Sequence, residues 1–404
     1  MLYSLHDLSQ TLVAPWSAAA SLNRNLFSNP MSPLSYIPGA RQLAASSELF
    51  LRFTRHYDKP AFGLDQTVID DVPVAVHEEI VLAKPFCELR HFRRDTQRSD
   101  PVVLLVAPLS GHFATLLRDT VRALLPAHDV YVTDWVDAKT VPLTEGPFHL
   151  VDYVDYVREF IRLLGPDVNV ISVCQPTVPV LMAVSLMAAD KEPVQARTMI
   201  MMGGPIDSRR SPTAVNNLAT EKTLDWFEHH VIHRVPLRYP GYMRRVYPGF
   251  LQHMGFVAMN PGRHAEAHRD YYNHLLRGDG DSAHAHRQFY DEYNAVLDMA
   301  AEYYLDTIRD VFQQHRLPNG TMEIRGQRVQ PELIRKTALL TIEGELDDIS
   351  GNGQTEAAHG LCTGLPKAMR SHYMAPGVGH YGIFSGRRWR EMIYPRIHDF
   401  IRAH

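Results

Sequence analysis

A doubly wound α/β fold around a mostly parallel sheet is what this 404-residue sequence predicts, and three observations carry that expectation. The run Val102-Val103-Leu104-Leu105-Val106-Ala107 is apolar without interruption, as a central strand covered on both faces must be. Helix-like and strand-like segments then alternate: a helix over about Thr115 to Leu125, a strand over Asp129 to Asp134, a helix from His149 to Leu164 and a strand from Val168 to Val173. After a long interruption the strand pattern resumes at Thr337 to Glu343 and at Lys367 to Met374.

The elements follow in order. Residues 1–70 read as an ordered N-terminal extension, with Pro15, Pro30, Pro33 and Pro38 among short apolar stretches and a helix-like piece from Ala44 to His56. The alternation of Val72, Val74 and Val76, then of Ile80 and Leu82, suggests strands that open the sheet. The helix His149 to Leu164 places Leu150, Val154, Val157, Ile161 and Leu164 on one face. Ala196 to Met202 is one more strand. The stretch 206–335, rich in Tyr, His, Arg and Met, reads as helices and loops, an insertion placed like a cap over the sheet. The amphipathic segment Trp389 to Ile401 closes the chain. Residues 71–205 and 336–404 would then be two parts of one core, with 206–335 as its lid.

Composition narrows the class. With 45% hydrophobic residues, 21% charged residues and a formal charge of −4, the chain reads as an ordinary globular protein without a nucleic-acid footprint. Its three cysteines have unrelated spacings and make neither a disulfide framework nor a zinc pattern, which fits a reducing compartment. Met1 to Gln10 has no basic stretch, Asp7 interrupts its apolar residues, and no transmembrane segment is expected, so a cytoplasmic location is.

The chemistry is concentrated at three loops. In Val168-Asn169-Val170-Ile171-Ser172-Val173-Cys174-Gln175-Pro176 a β-branched strand stops at a thiol and turns into an apolar helix, where a nucleophile elbow holds its attacking atom. Orphan N–H groups at the helix start favour the thiolate, which is the attacking form. Glycines usually stand two residues before and two after the nucleophile; here those places hold Ser172 and Pro176. A lone cysteine at a strand end is most often packing, and Cys87 and Cys362 serve as examples. Asp347 ends a strand in a Gly-x-x-Asp turn, with Asp348 as its rival, and His380 lies among Gly377, Gly379 and Gly382. The order Cys174, Asp347, His380 is that of an α/β-hydrolase triad, with the carboxylate orienting the imidazole that accepts the nucleophile's proton.

Acyl transfer also needs N–H donors aimed at the oxyanion. The Gln175 N–H is one candidate, and Leu109, Ser110 or Gly111 must supply the other because Pro108 has none. The side chains of Ser110 and His112 are candidates for substrate contact, although a plain turn explains them nearly as well. His264, His268, His284 and His286 lack a His-Glu-x-x-His motif, and no metal site is expected. Tyr271, Tyr272, Tyr290, Tyr293, Tyr303 and Tyr304 read as cap core, with one or two available to line an acyl pocket.

Taken together, Ala107-Pro108-Leu109-Ser110-Gly111-His112-Phe113-Ala114-Thr115-Leu116, Val173-Cys174-Gln175-Pro176 and Gly379-His380-Tyr381-Gly382 resemble the intracellular polyhydroxybutyrate (PHB) depolymerases, from the Met1-Leu2-Tyr3 start to the C-terminal helix. The resemblance implies an α/β-hydrolase with Cys174 as nucleophile and Asp347 and His380 as its partners. It implies cleavage of stored 3-hydroxybutyrate polyester, often at a granule surface, with no resident cofactor and with water or coenzyme A as acyl acceptor. Two rivals stand beside it. A polyhydroxyalkanoate synthase-like acyltransferase would run the transfer towards polymer, and it usually has glycines where Ser172 and Pro176 stand. A non-catalytic granule-associated scaffold would keep the fold without the chemistry.

Overall fold

The computed structural model describes residues 2–259 and 261–404. It opens with a helical hairpin, α1 (Leu2–Ser28) packed along α2 (Ala40–Thr54). The expected piece Ala44 to His56 falls largely within α2, whereas α1 had no counterpart in the sequence reading. Pro15 lies inside α1, where a proline normally ends or kinks a helix, so contact with α2 rather than local propensity sustains it. Leu5, Leu8, Leu12 and Trp16 recur every three or four residues and are all exposed, Trp16 to 69%.

Three antiparallel strands follow, β1 (Gln66–Ile69), β2 (Val72–Lys84) and β3 (Cys87–Arg94). Then come β4 (Val102–Val106), α3 (Arg118–Leu124), β5 (Asp129–Trp135), α4 (Leu150–Leu164), β6 (Asn169–Val173), α5 (Thr177–Ala189) and β7 (Thr198–Met202). The helix expected from Thr115 is preceded by a 3₁₀ turn over Ala114–Leu117. Buried on nearly every face, α5 explains why its sequence is apolar without a stripe.

Between β7 and the next sheet strand lie α6 (Ala214–Glu221), α7 (Leu224–His230), β8 (His233–Arg234), β9 (Arg245–Tyr247), α8 (Gly249–Met259), α9 (Pro261–Arg277), α10 (Gly280–Asn294), β10 (Met299–Ala300) and α11 (Ala301–Thr307). The hairpin β11 (Glu323–Ile324) and β12 (Gln327–Arg328) ends this insertion. The expectation of helices and loops alone is therefore corrected: β10, β9 and β8 form a small antiparallel sheet. Strands of two or three residues are too short to leave a periodic signal. Part of the insertion also belongs to the core, since α11 packs on α4 and Tyr303 stacks on Tyr153 at 5.6 Å.

The chain finishes with β13 (Ala338–Gly344), α12 (Ala358–Leu361), β14 (Arg370–Ala375), α13 (Gly386–Arg388) and α14 (Tyr394–Ala403). Trp389, Ile393, Ile397 and Ile401, four residues apart, bury one face of this terminal segment. The main sheet has nine strands in the order β1-β2-β3-β5-β4-β6-β7-β13-β14. From β5 to β14 every neighbouring pair is parallel. The fold is that of the α/β-hydrolases, and the carboxyl ends of β4, β6, β7 and β13 meet along one edge, where such sheets place their sites.

Candidate active site

Cys174 follows β6 directly and carries φ +68°, a left-handed conformation that non-glycine residues adopt rarely. Its N–H donates to Met202 O at 2.7 Å, and its carbonyl accepts from Thr177 N at 3.2 Å. The chain therefore reverses from strand to helix within three residues, turning the half-buried thiol away from the sheet. The close approach normally granted by elbow glycines comes here from the end of β7. A Cβ on Gly204 would stand 2.5 Å from the Cys174 carbonyl oxygen and overlap the Thr177 side chain. A Cβ on Gly203, at φ +56°, would stand 2.5 Å from Ile383 Cδ1, 3.2 Å from Asp347 Oδ2 and 3.4 Å from His380 Cε1. The sequence reading missed both, although Gly203-Gly204-Pro205 directly after a strand was the available signal. Ser172 is tolerated because its hydroxyl donates to Ile200 O at 3.2 Å.

His380 opens a 3₁₀ turn after β14 and is buried. Its Nδ1 meets Asp347 Oδ2 at 2.8 Å. Asp347 Oδ1 accepts the N–H groups of Ile349 and Ser350 at 2.9 and 2.8 Å, so this carboxylate is fixed through both oxygens. The rival Asp348 is exposed. Burial alone would lower the His380 pKa. The Asp347 carboxylate and the Cys174 thiolate outweigh it through charge and hydrogen bonding, and hold that pKa well above 6.5. The other two thiols differ. Cys87 and Cys362 are buried and have no such neighbour, and burial pushes Cys362 up to about 12.

The loop after β4 is held tightly at its root. The Ala107 N–H donates to Thr133 Oγ1 at 2.9 Å, while Ala107 O accepts from Trp135 Nε1 at 2.8 Å and from the Tyr153 hydroxyl at 3.2 Å. Pro108, Leu109 and Ser110 then line the same cavity as Cys174, Gln175 and His380. Among the described residues, the N–H groups of Gln175, Leu109, Ser110 and Gly111 donate to no backbone acceptor, which leaves them available to an oxyanion. Gly111, at φ +106°, ends this loop, with its carbonyl accepting from Leu297 N at 2.8 Å. His112 also lines the cavity, but its Nε2 lies 3.2 Å from Tyr293 O and its ring stacks on Phe256. Burial lowers its pKa to about 4, so it is a neutral post tying the loop to the insertion.

The cavity holds about 280 Å³. Most of its wall comes from the insertion: Leu218, Phe227, Phe256, Ile308 and Phe312 are apolar, and Tyr303 and Tyr304 were among the tyrosines anticipated. Gln252 was not anticipated. Its Nε2 donates to Tyr247 O at 2.9 Å and Leu297 O at 3.2 Å, and its side chain covers Gly111. Away from the cavity, His264 Nδ1 and Nε2 meet the hydroxyls of Tyr290 and Tyr293 at 2.9 and 3.2 Å, and His286 stacks on Tyr271. These clusters join α9 to α10. Among the described residues no group of three or more His, Cys, Asp or Glu side chains could hold a metal ion, and no helix is long and apolar enough to cross a membrane.

Residues 203–404 match the family described as PHB de-polymerase C-terminus. The chain belongs to this family. That segment contains Asp347, His380, the insertion and the glycines at the end of β7, while Cys174 lies ahead of it. Membership makes the protein a hydrolase. No curated protein matches. Similar solved structures include a putative lipase from Acinetobacter baumannii, at 10% identity over 81% of this chain and 93% of that one, with a TM-score of 0.45. A 2-hydroxy-6-oxo-6-phenylhexa-2,4-dienoate hydrolase from Rhodococcus sp. aligns at 13% identity over 82% of this chain and 100% of that one, with a TM-score of 0.44. The thioesterase domain from the curacin biosynthetic pathway aligns at 10% identity over 81% and 99%, with a TM-score of 0.43.

Proposed function

We propose that this PHB depolymerase family member cleaves the ester bonds of poly(3-hydroxybutyrate) through a Cys174-His380-Asp347 triad and a thioester acyl-enzyme. The observation that carries the reading is the left-handed backbone of Cys174 at the strand-to-helix turn, lining one apolar cavity together with an imidazole that is itself locked to Asp347.

Asp347 holds the imidazole through Nδ1 and stabilises the positive charge it gains, so His380 takes the thiol proton as the sulfur of Cys174 attacks. Attack on an ester carbonyl forms the S–C bond and places negative charge on the former carbonyl oxygen. The N–H groups of Gln175 and of Leu109 or Ser110 receive that charge. When the C–O bond breaks, His380 gives its proton to the departing alkoxide. Water or the thiol of coenzyme A, deprotonated by His380, then releases the acyl group. Ser110 is the loop side chain positioned to touch substrate, whereas His112 acts through the loop it fixes.

The insoluble polymer and its granule surface suit the exposed apolar stripe Leu5, Leu8, Leu12 and Trp16 on α1. The test uses wild type and Cys174→Ala with amorphous polymer granules, with and without coenzyme A, following released acid and acyl-coenzyme A. Product from wild type alone is expected. Equal release from both would remove Cys174 from the account, and polymer growth from 3-hydroxybutyryl-coenzyme A would turn the reading into that of a synthase.

A further inference from the structure

The cavity wall is apolar except for a few polar atoms, and two side chains there stand out. Gln175 is only 9% exposed, and neither its carboxamide oxygen nor its nitrogen has a hydrogen-bond partner. Tyr303, 1% exposed, has an unpaired hydroxyl in the same wall. The Tyr303 hydroxyl lies near the Gln175 carboxamide and the Thr307 side chain without closing a well-formed hydrogen bond to either. Both are close to Cys174: Gln175 follows it in sequence, and Tyr303 lines the same cavity. Gln252 Oε1 and Ser350 Oγ are also unpaired in this wall, but Gln252 is tied down through its nitrogen and Ser350 through its N–H.

Buried polar groups are nearly always paired, so two unpaired ones on residues of a cavity wall call for a ligand that completes them. The Gln175 carboxamide offers both an acceptor and donors, and a tyrosine hydroxyl can do either. An ester oxygen or carbonyl only accepts, so it can pair Gln175 Nε2 but gives no proton to Oε1. A hydroxyl gives its proton to Oε1 and accepts one from Nε2 or from Tyr303.

We propose that Gln175 and Tyr303 recognise a free hydroxyl on carbon 3 of the acyl unit being attacked, so that cleavage begins at the hydroxyl end of the polyester. This rests on the ester-cleaving reading above and deepens it. Attack by Cys174 on the terminal unit forms the thioester and breaks one C–O bond, and the rest of the chain leaves as an alcohol protonated by His380. That alcohol is a new hydroxyl end, so each cycle regenerates the recognised group.

The test measures kcat/KM from ethanol release with ethyl 3-hydroxybutanoate, ethyl 3-acetoxybutanoate and ethyl butanoate, which carry a hydroxyl, an ester and a hydrogen at carbon 3. Wild type is expected to prefer the hydroxyl ester by at least about tenfold over both others. Gln175→Met, which keeps the backbone N–H, and Tyr303→Phe should each bring the three within about threefold, mainly by losing rate on the hydroxyl ester. Melting curves establish that each variant is folded, and either one alone suffices. Comparable wild-type rates on all three esters, or a preference that survives in a folded variant, would overturn the proposal and leave the ester-cleaving reading intact. Hydrolysis of none of them by wild type would remove both.

Discussion

The edge of the main sheet and the insertion above it are built on opposite plans. At the edge every reactive group is over-determined: Asp347 is held through both oxygens, Ala107 by three hydrogen bonds, and Gly203 and Gly204 fill the last space beside Cys174 and His380. The insertion supplies most of an apolar wall, in which Tyr303 OH and Gln252 Oε1 have no partner. The sheet thus fixes the chemistry, whose barrier depends on atomic placement, and the insertion chooses what is brought to it.

The largest effect should come from the thiols. Cys174→Ala is expected to lower ester hydrolysis by about 10⁴-fold or more, because covalent catalysis is lost outright. Cys87→Ala and Cys362→Ala, in the buried core, should keep the rate within a few-fold while costing about 1–2 kcal/mol in denaturant unfolding. Equal rate losses for all three would break the contrast. Next, Asp347→Asn should cost roughly 10³–10⁴-fold in kcat. With the chief raising influence gone, burial prevails and the His380 imidazole should titrate lower than in wild type, as NMR would report. An unchanged titration would mean that Asp347 does not hold the proton.

The buried histidines of the core should make stability depend on pH in two opposite senses. The folded pKa of His380 is raised, so its contribution is fully present below about pH 6.5 and is lost as pH rises through the folded value. His112 and His128 are depressed to about 4 by burial. Each favours the folded state above about pH 6.5 and loses on the order of 3 kcal/mol as pH falls towards 4. A melting temperature that does not fall between those values would contradict this. His112→Phe should flatten part of the acid limb.

Glycine substitutions give a smaller and sharper comparison. Gly204→Ala forces a Cβ into Thr177 and the elbow carbonyl and should destabilise by about 1–3 kcal/mol. In the insertion, Gly255→Ala on α8 meets nothing within 4 Å and should stabilise by about 0.5–1 kcal/mol. Chemical denaturation of both reads the difference directly.

The same division decided what the sequence disclosed. The strands from Val102 to Val106 and Ala338 to Gly344 are buried on both faces and largely apolar, so the sheet could be read from the sequence, and the order of its loops is what singled out Cys174, Asp347 and His380 as candidates. In the insertion, β8, β9 and β10 are too short for periodicity, and the histidines and tyrosines of α9 and α10 mimic a ligand cluster while serving packing. α1 was obscured by Pro15, whose helix-breaking tendency is overridden by α2. Gly203 and Gly204 escaped notice because the pattern sought glycines around Cys174, whereas the neighbouring strand provides the clearance.

The most direct measurement is intact-protein mass after rapid acid quench of wild type turning over a 3-hydroxybutyrate oligomer, followed by peptide mapping. The account expects one 3-hydroxybutyryl group on Cys174, removable by hydroxylamine and absent from Cys174→Ala. Steady hydrolysis without any acyl group on Cys174, or with the adduct on another residue, would contradict it.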